Sequence, residues 1–121
     1  MILELGANDM LRGVDPSVTR TALAEILRNL EARRIVVLLC GAQTRTTFRD
    51  EYKSAFAAMF SGLASEHNVL FYPAFDDAFV DHAQLKLLDG LHPNAAGIEA
   101  LVARILPNVE ALIDRARRKD R

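Results

Sequence analysis

Two short blocks hold the residues of this chain whose types and spacing could do chemistry. Asp89-Gly90-Leu91-His92-Pro93-Asn94 sets a carboxylate three residues before a histidine, and Gly6-Ala7-Asn8-Asp9 sets a side-chain amide directly after an apolar run. A carboxylate so placed can hold an imidazole in one tautomer and aim it as a general base. An amide at the end of a strand can donate to an oxygen on which negative charge develops. Both blocks also have an ordinary reading. Asp-Gly and Pro-Asn are common turn pairs, and Asn8 serves equally as a cap with Asp9 as turn support. No nucleophile for these groups is evident. Ser17, Ser54, Ser61 and Ser65 all fall in segments of helical spacing, and Cys40 ends the apolar run Val36–Cys40, where a buried structural thiol is expected.

Of the three histidines, only His92 has a carboxylate three residues upstream. His67 falls at an expected helix end, where the dipole alone favours it, and His82 lies in a polar loop. Asp76, Asp77 and Asp81 read as loop solvation. No histidine or carboxylate is paired with them at ligand spacing, so no metal centre is expected. Gly13 and Gly41 read first as turns.

These blocks must be positioned by a single domain, since 121 residues suit one core. Half the residues are hydrophobic and 26% are charged, the balance of a globular protein. A net charge of -1 argues against a nucleic-acid partner, and no apolar stretch approaches the length of a membrane span. The basic run Arg115–Arg121 reads first as a solvated helix end. A lone cysteine excludes an internal disulfide.

Ile2–Leu5 reads as a strand stopped by Gly6. Asp15-Pro16 supplies a cap and a first-turn proline, and Ala22, Leu23, Ile26, Leu27 and Leu30 give a helix from Pro16 to Ala32. Ile35–Cys40 is a second strand, too continuously apolar to face water on either side. A Gly-, Gln- and Thr-rich loop runs from Gly41 to Phe48. The next helix carries Tyr52, Phe56, Met59, Phe60 and Leu63 and ends near His67, with Asn68 as its cap. Val69–Tyr72 is a third strand closed by Pro73, and Ala74–Leu88 reads as loop with a short helical turn. A last helix starts at Asn94 and runs through Ile98, Leu101, Val102 and Ile105. Pro107 is expected to break or kink it before Val109, Leu112 and Ile113 resume the spacing. Alternating strands and helices imply an α/β fold with a parallel sheet, whose working residues collect beyond the carboxyl ends of the strands. Asn8, the 41–48 loop and the Asp89–His92 loop all fall on that edge.

Leu3-Glu4-Leu5-Gly6-Ala7-Asn8-Asp9-Met10-Leu11-Arg12-Gly13, taken with Asp89-Gly90-Leu91-His92-Pro93-Asn94, resembles the SGNH, or GDSL, hydrolase superfamily. Within it the chain is similar to the bacterial acyl-CoA thioesterase, lysophospholipase and arylesterase group, with likeness over nearly its whole length. The resemblance implies a flavodoxin-like, three-layer α/β/α domain. It implies that His92 is the general base, that Asp89 orients it, and that Asn8 is an oxyanion-hole donor. The reaction implied is transfer of an acyl group to water through an acyl-serine, on small acyl esters or thioesters, without metal or organic cofactor. Gly41, Ala42 and Thr44 are expected to border the acyl site, because their loop leaves the strand beside Asn8. Family resemblance places the protein in the periplasm; a genuine start at Met1 would place it in the cytoplasm.

One departure stands out. The family's Gly-Asp-Ser block, which precedes the Asn block, is absent here, as is a second oxyanion glycine. Residues 1–121 are therefore expected to form the C-terminal portion of a single SGNH domain without its N-terminal strands, and to be inactive alone. On that expectation Ile2–Leu5 becomes an open sheet edge and apolar surface near the Leu23–Leu30 helix is exposed. The edge would then pair in a dimer or accept a complementing N-terminal fragment. Two other readings stand beside this one: a non-catalytic remnant or partner subunit, and a carbohydrate acetylesterase.

Overall fold

The computed structural model describes residues 1–43 and 48–119. A strand with no polar side must be covered on both faces, and Leu38–Cys40 (β2) is the middle of a three-stranded sheet. Ile2–Glu4 (β1) pairs parallel to it on one side and Leu70–Tyr72 (β3) on the other. Alternation of side chains then sorts the sheet into two faces. Leu3 and Leu39 point with Phe71 into a core built from Pro16–Ala32 (α2) and Asp50–Glu66 (α3), where Leu27, Phe56, Phe60 and Leu63 are fully or almost fully buried. Leu38, Cys40 and Tyr72 point the other way, against Ile105, Val109 and Leu112 of Ala95–Lys119 (α4). The result is the α/β fold with a parallel sheet that the apolar pattern implies, in the three-layer α/β/α arrangement that the family resemblance implies.

The helix ends follow their local chemistry. Asp15 caps α2 by accepting the Ser17 N–H at 2.8 Å, with Pro16 in the first turn. At the end of α3, Asn68 takes the left-handed conformation (φ 50°) and Val69 N–H returns to the Ala64 carbonyl. Asn94 caps α4 through Gly97 N–H at 2.9 Å.

Four expectations need correction. Each strand holds only three residues, shorter than the apolar runs that contain them. A five-residue helix, Ala7–Leu11 (α1), follows β1 where only a turn was expected, whereas the 3-10 turn at Ala83–Leu85 is the short helical turn expected within Ala74–Leu88. Pro107 lies inside α4 without ending it. The carbonyl it leaves without a donor, on Ala103, belongs to an exposed residue that water can satisfy, while Ile105, Val109 and Leu112 hold both flanks against the sheet. Finally, Leu23, Leu27 and Leu30 of α2 are buried. Val18 of α2 does remain exposed, but the longer uncovered apolar stripe is on α4, where Ile98, Val102, Leu106 and Ile113 are each 44–50% exposed.

β1 is an edge: its other flank carries no strand among the described residues. Ile2, on the α4 side of the sheet, is half exposed in consequence. No helix among the described residues is long and apolar enough to cross a membrane.

Candidate active site

At the end of β1 the chain turns through Gly6, whose φ of 110° is reached readily only without a side chain. Met10 N–H donates to the Gly6 carbonyl at 3.0 Å, so α1 begins at once. Two partners fix this short helix. Thr19, 3% exposed on α2, donates its hydroxyl to Asp9 Oδ2 at 2.7 Å. Tyr52 on α3 donates to the Val14 carbonyl at 2.7 Å, beyond the helix end. Asp9 therefore does support the turn. Asn8 is exposed, and its carboxamide makes no hydrogen bond to another described residue. Its donor is free for a ligand.

The second piece is a tight loop. Asp89 Oδ1 accepts the backbone N–H groups of Leu91 at 2.9 Å and His92 at 3.0 Å, and Asp89 Oδ2 lies 2.5 Å from His92 Nδ1. One oxygen shapes the loop and the other holds the ring. With Nδ1 donating to a carboxylate, the neutral imidazole presents a lone pair at Nε2. Leu87 N–H donates to the His92 carbonyl at 2.8 Å, and an isolated bridge joins Lys86 to Pro93. Asn94 adds a staple the sequence did not advertise, donating Nδ2 to the Gln84 carbonyl at 2.9 Å while it caps α4. Close packing completes the mount: a Cβ on Gly97 would lie 2.2 Å from the Leu85 carbonyl oxygen.

The His92 hydrogen bond, followed by those from the Leu91 and His92 amides, holds the Asp89 carboxyl down at about 2. A carboxyl lowered in the fold keeps its loop bonds above its unfolded value, near 4, and loses them as pH falls through its folded value. The Asp89 carboxyl carbon is expected to titrate by 13C NMR with a midpoint near pH 2, rising toward the ordinary carboxylate value in His92→Ala. A midpoint near 4 in the unsubstituted chain would contradict this geometry. Both side chains are about half exposed or more, so the pair contributes orientation rather than stability.

Asn8 and His92 border one groove of about 810 Å3. Leu23, Ile26, Phe75, Phe79, Ile98 and Leu101 give it apolar walls, and Glu4, Arg12, Asp76 and Lys86 join Asn8 and His92 as its polar groups. Because α2 and α4 lie on opposite faces of the sheet and both line it, the groove passes around the free edge of β1. Its lining among the described residues contains no serine or cysteine. Ser17, Ser54, Ser61 and Ser65 are exposed on α2 and α3. Burial pushes the Cys40 thiol up to about 11, with Glu4 adding to the effect, so it stays protonated within the core.

Asp76 overturns its reading as loop solvation. It is 4% exposed, its Oδ1 accepts the Gln43 N–H at 2.8 Å, and burial raises its carboxyl. Glu4, at the end of β1, is raised by burial and then by Asp76. Asp77 is also engaged, by the Tyr72 hydroxyl at 3.0 Å and by Arg104. Of the loop residues expected to border an acyl site, Gly41 and Ala42 are buried between the ends of β2 and β3. Gly41 N–H donates to the Tyr72 carbonyl and its own carbonyl accepts from Phe75, both at 2.9 Å. Neither lines the groove as described. Thr44 lies outside the described residues. His67 ends α3 and His82 precedes the 3-10 turn, both away from the groove.

Comparison with known proteins matches residues 1–100 to the GDSL-like Lipase/Acylhydrolase family. Esterase TesA of Pseudomonas aeruginosa is 27% identical over 113 residues, covering 93% of this chain and 56% of that protein. The thioesterase 1/protease 1/lysophospholipase L1 of Escherichia coli K12 is 34% identical over 94 residues, covering 78% of this chain and 45% of that protein. A crystal structure of TesA superimposes with a TM-score of 0.86 at 28% identity, over 92% of this chain and 62% of that one. The chain thus spans about half the length of the curated relatives it matches.

Proposed function

The chain belongs to the GDSL-like lipase/acylhydrolase family, and from that premise we propose that it carries the base and oxyanion side of a serine ester hydrolase. The observation that supports this best is the pairing of Asp89 with His92 on the same groove as the unengaged carboxamide of Asn8. In this reading a serine hydroxyl attacks the carbonyl carbon of an acyl ester or thioester while His92 Nε2 takes its proton. Asn8 Nδ2 donates to the oxyanion of the tetrahedral intermediate. Collapse expels the leaving alcohol or thiol, which receives the proton from His92, and water then releases the acid by the same route. Asp89 stays ionised throughout and keeps the imidazole aimed. The apolar walls of the groove take the acyl chain.

The serine, in this proposal, comes from a polypeptide segment carrying Gly-Asp-Ser and seated along β1. That strand offers a row of backbone groups on its free flank, and the groove wraps the same flank. The exposed stripe of α4 gives such a segment apolar surface to cover.

Complementation tests the proposal. The chain is co-expressed with the portion of the Pseudomonas aeruginosa TesA polypeptide that it does not match. The pair is expected to co-purify, to hydrolyse p-nitrophenyl acyl esters, and to be labelled on one serine by a fluorophosphonate, while the chain alone does none of these. A co-purified pair with no hydrolysis and no labelling would favour the non-catalytic reading. Labelling of the chain alone would reveal a nucleophile within these 121 residues.

A further inference from the structure

Among the described residues, three groups that can carry positive charge border the groove: Arg12, Lys86 and His92. Lys86 is engaged, its Nζ donating to the Val80 carbonyl at 2.8 Å, and His92 is held by Asp89. Arg12 is exposed, and its guanidinium makes no hydrogen bond or ion pair with another described residue. The backbone beneath it is fixed all the same. Arg12 N–H donates to the carbonyls of Asn8 at 3.1 Å and Asp9 at 3.2 Å, and Gly13 then turns the chain away with a φ of 70°. Residues four apart share a helix face, about 6 Å apart along the axis. An unused guanidinium is therefore carried on backbone one turn from Asn8, on an exposed residue of a groove whose buried walls, Leu23 and Phe79 among them, are apolar.

We propose that Arg12 is a specificity-determining residue, reading a phosphate on the leaving-group side of the ester. The inference rests on Asn8 as the oxyanion donor. With the carbonyl oxygen at Asn8 and the acyl chain along Leu23, Phe79 and Ile98, the polar leaving group extends toward the rim where Arg12 stands. The spacing then selects among anionic leaving groups. In a glycerol phosphate ester the phosphorus is six bonds from the carbonyl carbon, roughly 7 Å at about 1.2 Å of advance per bond. That distance matches one helical turn plus the adjustment of a long side chain. A thioester on a pantetheine arm carries its phosphates far beyond it. Guanidinium binds phosphate through two parallel hydrogen bonds, so lysine is an incomplete substitute.

The test compares two ligands with the same acyl chain, 1-octanoylglycerol 3-phosphate and 1-octanoylglycerol, each below its micelle concentration. They are titrated into the 15N-labelled chain while the Asn8 side-chain and His92 resonances are followed. The phosphate ester is expected to bind about tenfold tighter, a preference that shrinks with added salt. Arg12→Gln should bring the ratio of the two affinities close to one, and Arg12→Lys should keep part of it. A preference that survives Arg12→Gln, or no preference in the unsubstituted chain, overturns the role of Arg12 while leaving the acyl site standing. If neither ligand moves the Asn8 or His92 resonances, the acyl-site reading itself fails, and this inference with it.

Discussion

Replacing His92 with alanine in the complemented assembly is expected to lower kcat for p-nitrophenyl acetate by about 10^3-fold, with little change in KM. The histidine is the one group on the groove that combines a free ring nitrogen with a carboxylate holding the other nitrogen. Its side chain is largely exposed and packs into neither core cluster, so the variant should fold. Burst kinetics on the co-purified pair separate this from lost association: an unchanged stoichiometry of the two polypeptides with a vanished burst is the expected pattern. A loss of tenfold or less would mean that another group takes the serine proton. Asn8→Ala should cost about 10^2-fold, the usual magnitude for one oxyanion donor.

The second large effect falls on Gly97, where two influences oppose each other. Alanine in place of glycine within a helix ordinarily adds about 1 kcal/mol of stability. At Gly97 the new Cβ would meet the Leu85 carbonyl oxygen at 2.2 Å and Pro93 Cβ at 2.9 Å. The first neighbour is backbone and cannot swing aside, so the start of α4 must separate from the Ala83–Lys86 segment. The clash wins, and Gly97→Ala is expected to destabilise the chain by about 2 kcal/mol in urea melts. The same displacement pulls on Pro93, next to His92, so hydrolysis by the complemented assembly should fall as well. A variant as stable as the parent would show that α4 can shift along this seam at no cost.

How much of this was legible in the sequence depended on how far apart the interacting residues lie. The Asp89–His92 contact could be read because it spans three positions and is made within one turn. The layering could be read because β2 is apolar on both faces, which only a covered central strand tolerates. The five residues of α1 are too few to show a helical period, and the helix starts at a glycine in an uncommon conformation. The burial of Asp76 was hidden because its partner, Gln43, is 33 residues away and contributes only a backbone N–H, which no residue type signals. Pro107 carries a strong local signal that tertiary packing overrides. The apolar stripe of α4 was legible as a helix face, but nothing in its spacing says which part of it the sheet covers.

The Asp89–His92 loop differs from the rest of the site in the conformational entropy its assembly requires. The orienting carboxylate, the base and the two amides that donate to Asp89 all lie within four consecutive residues. Closing so short a stretch costs little chain entropy, and it needs no sheet. Asn8 stands 84 residues away along the chain and joins His92 on the groove only when β1 has docked on β2 and α4 has closed over the other face. Base and orienting carboxylate are thus a pre-assembled unit, and the oxyanion donor is a long-range acquisition. Conditions that loosen β1 from the sheet should separate Asn8 from His92 while Asp89 still grips the imidazole, so the site comes apart along the boundary between its local and non-local halves.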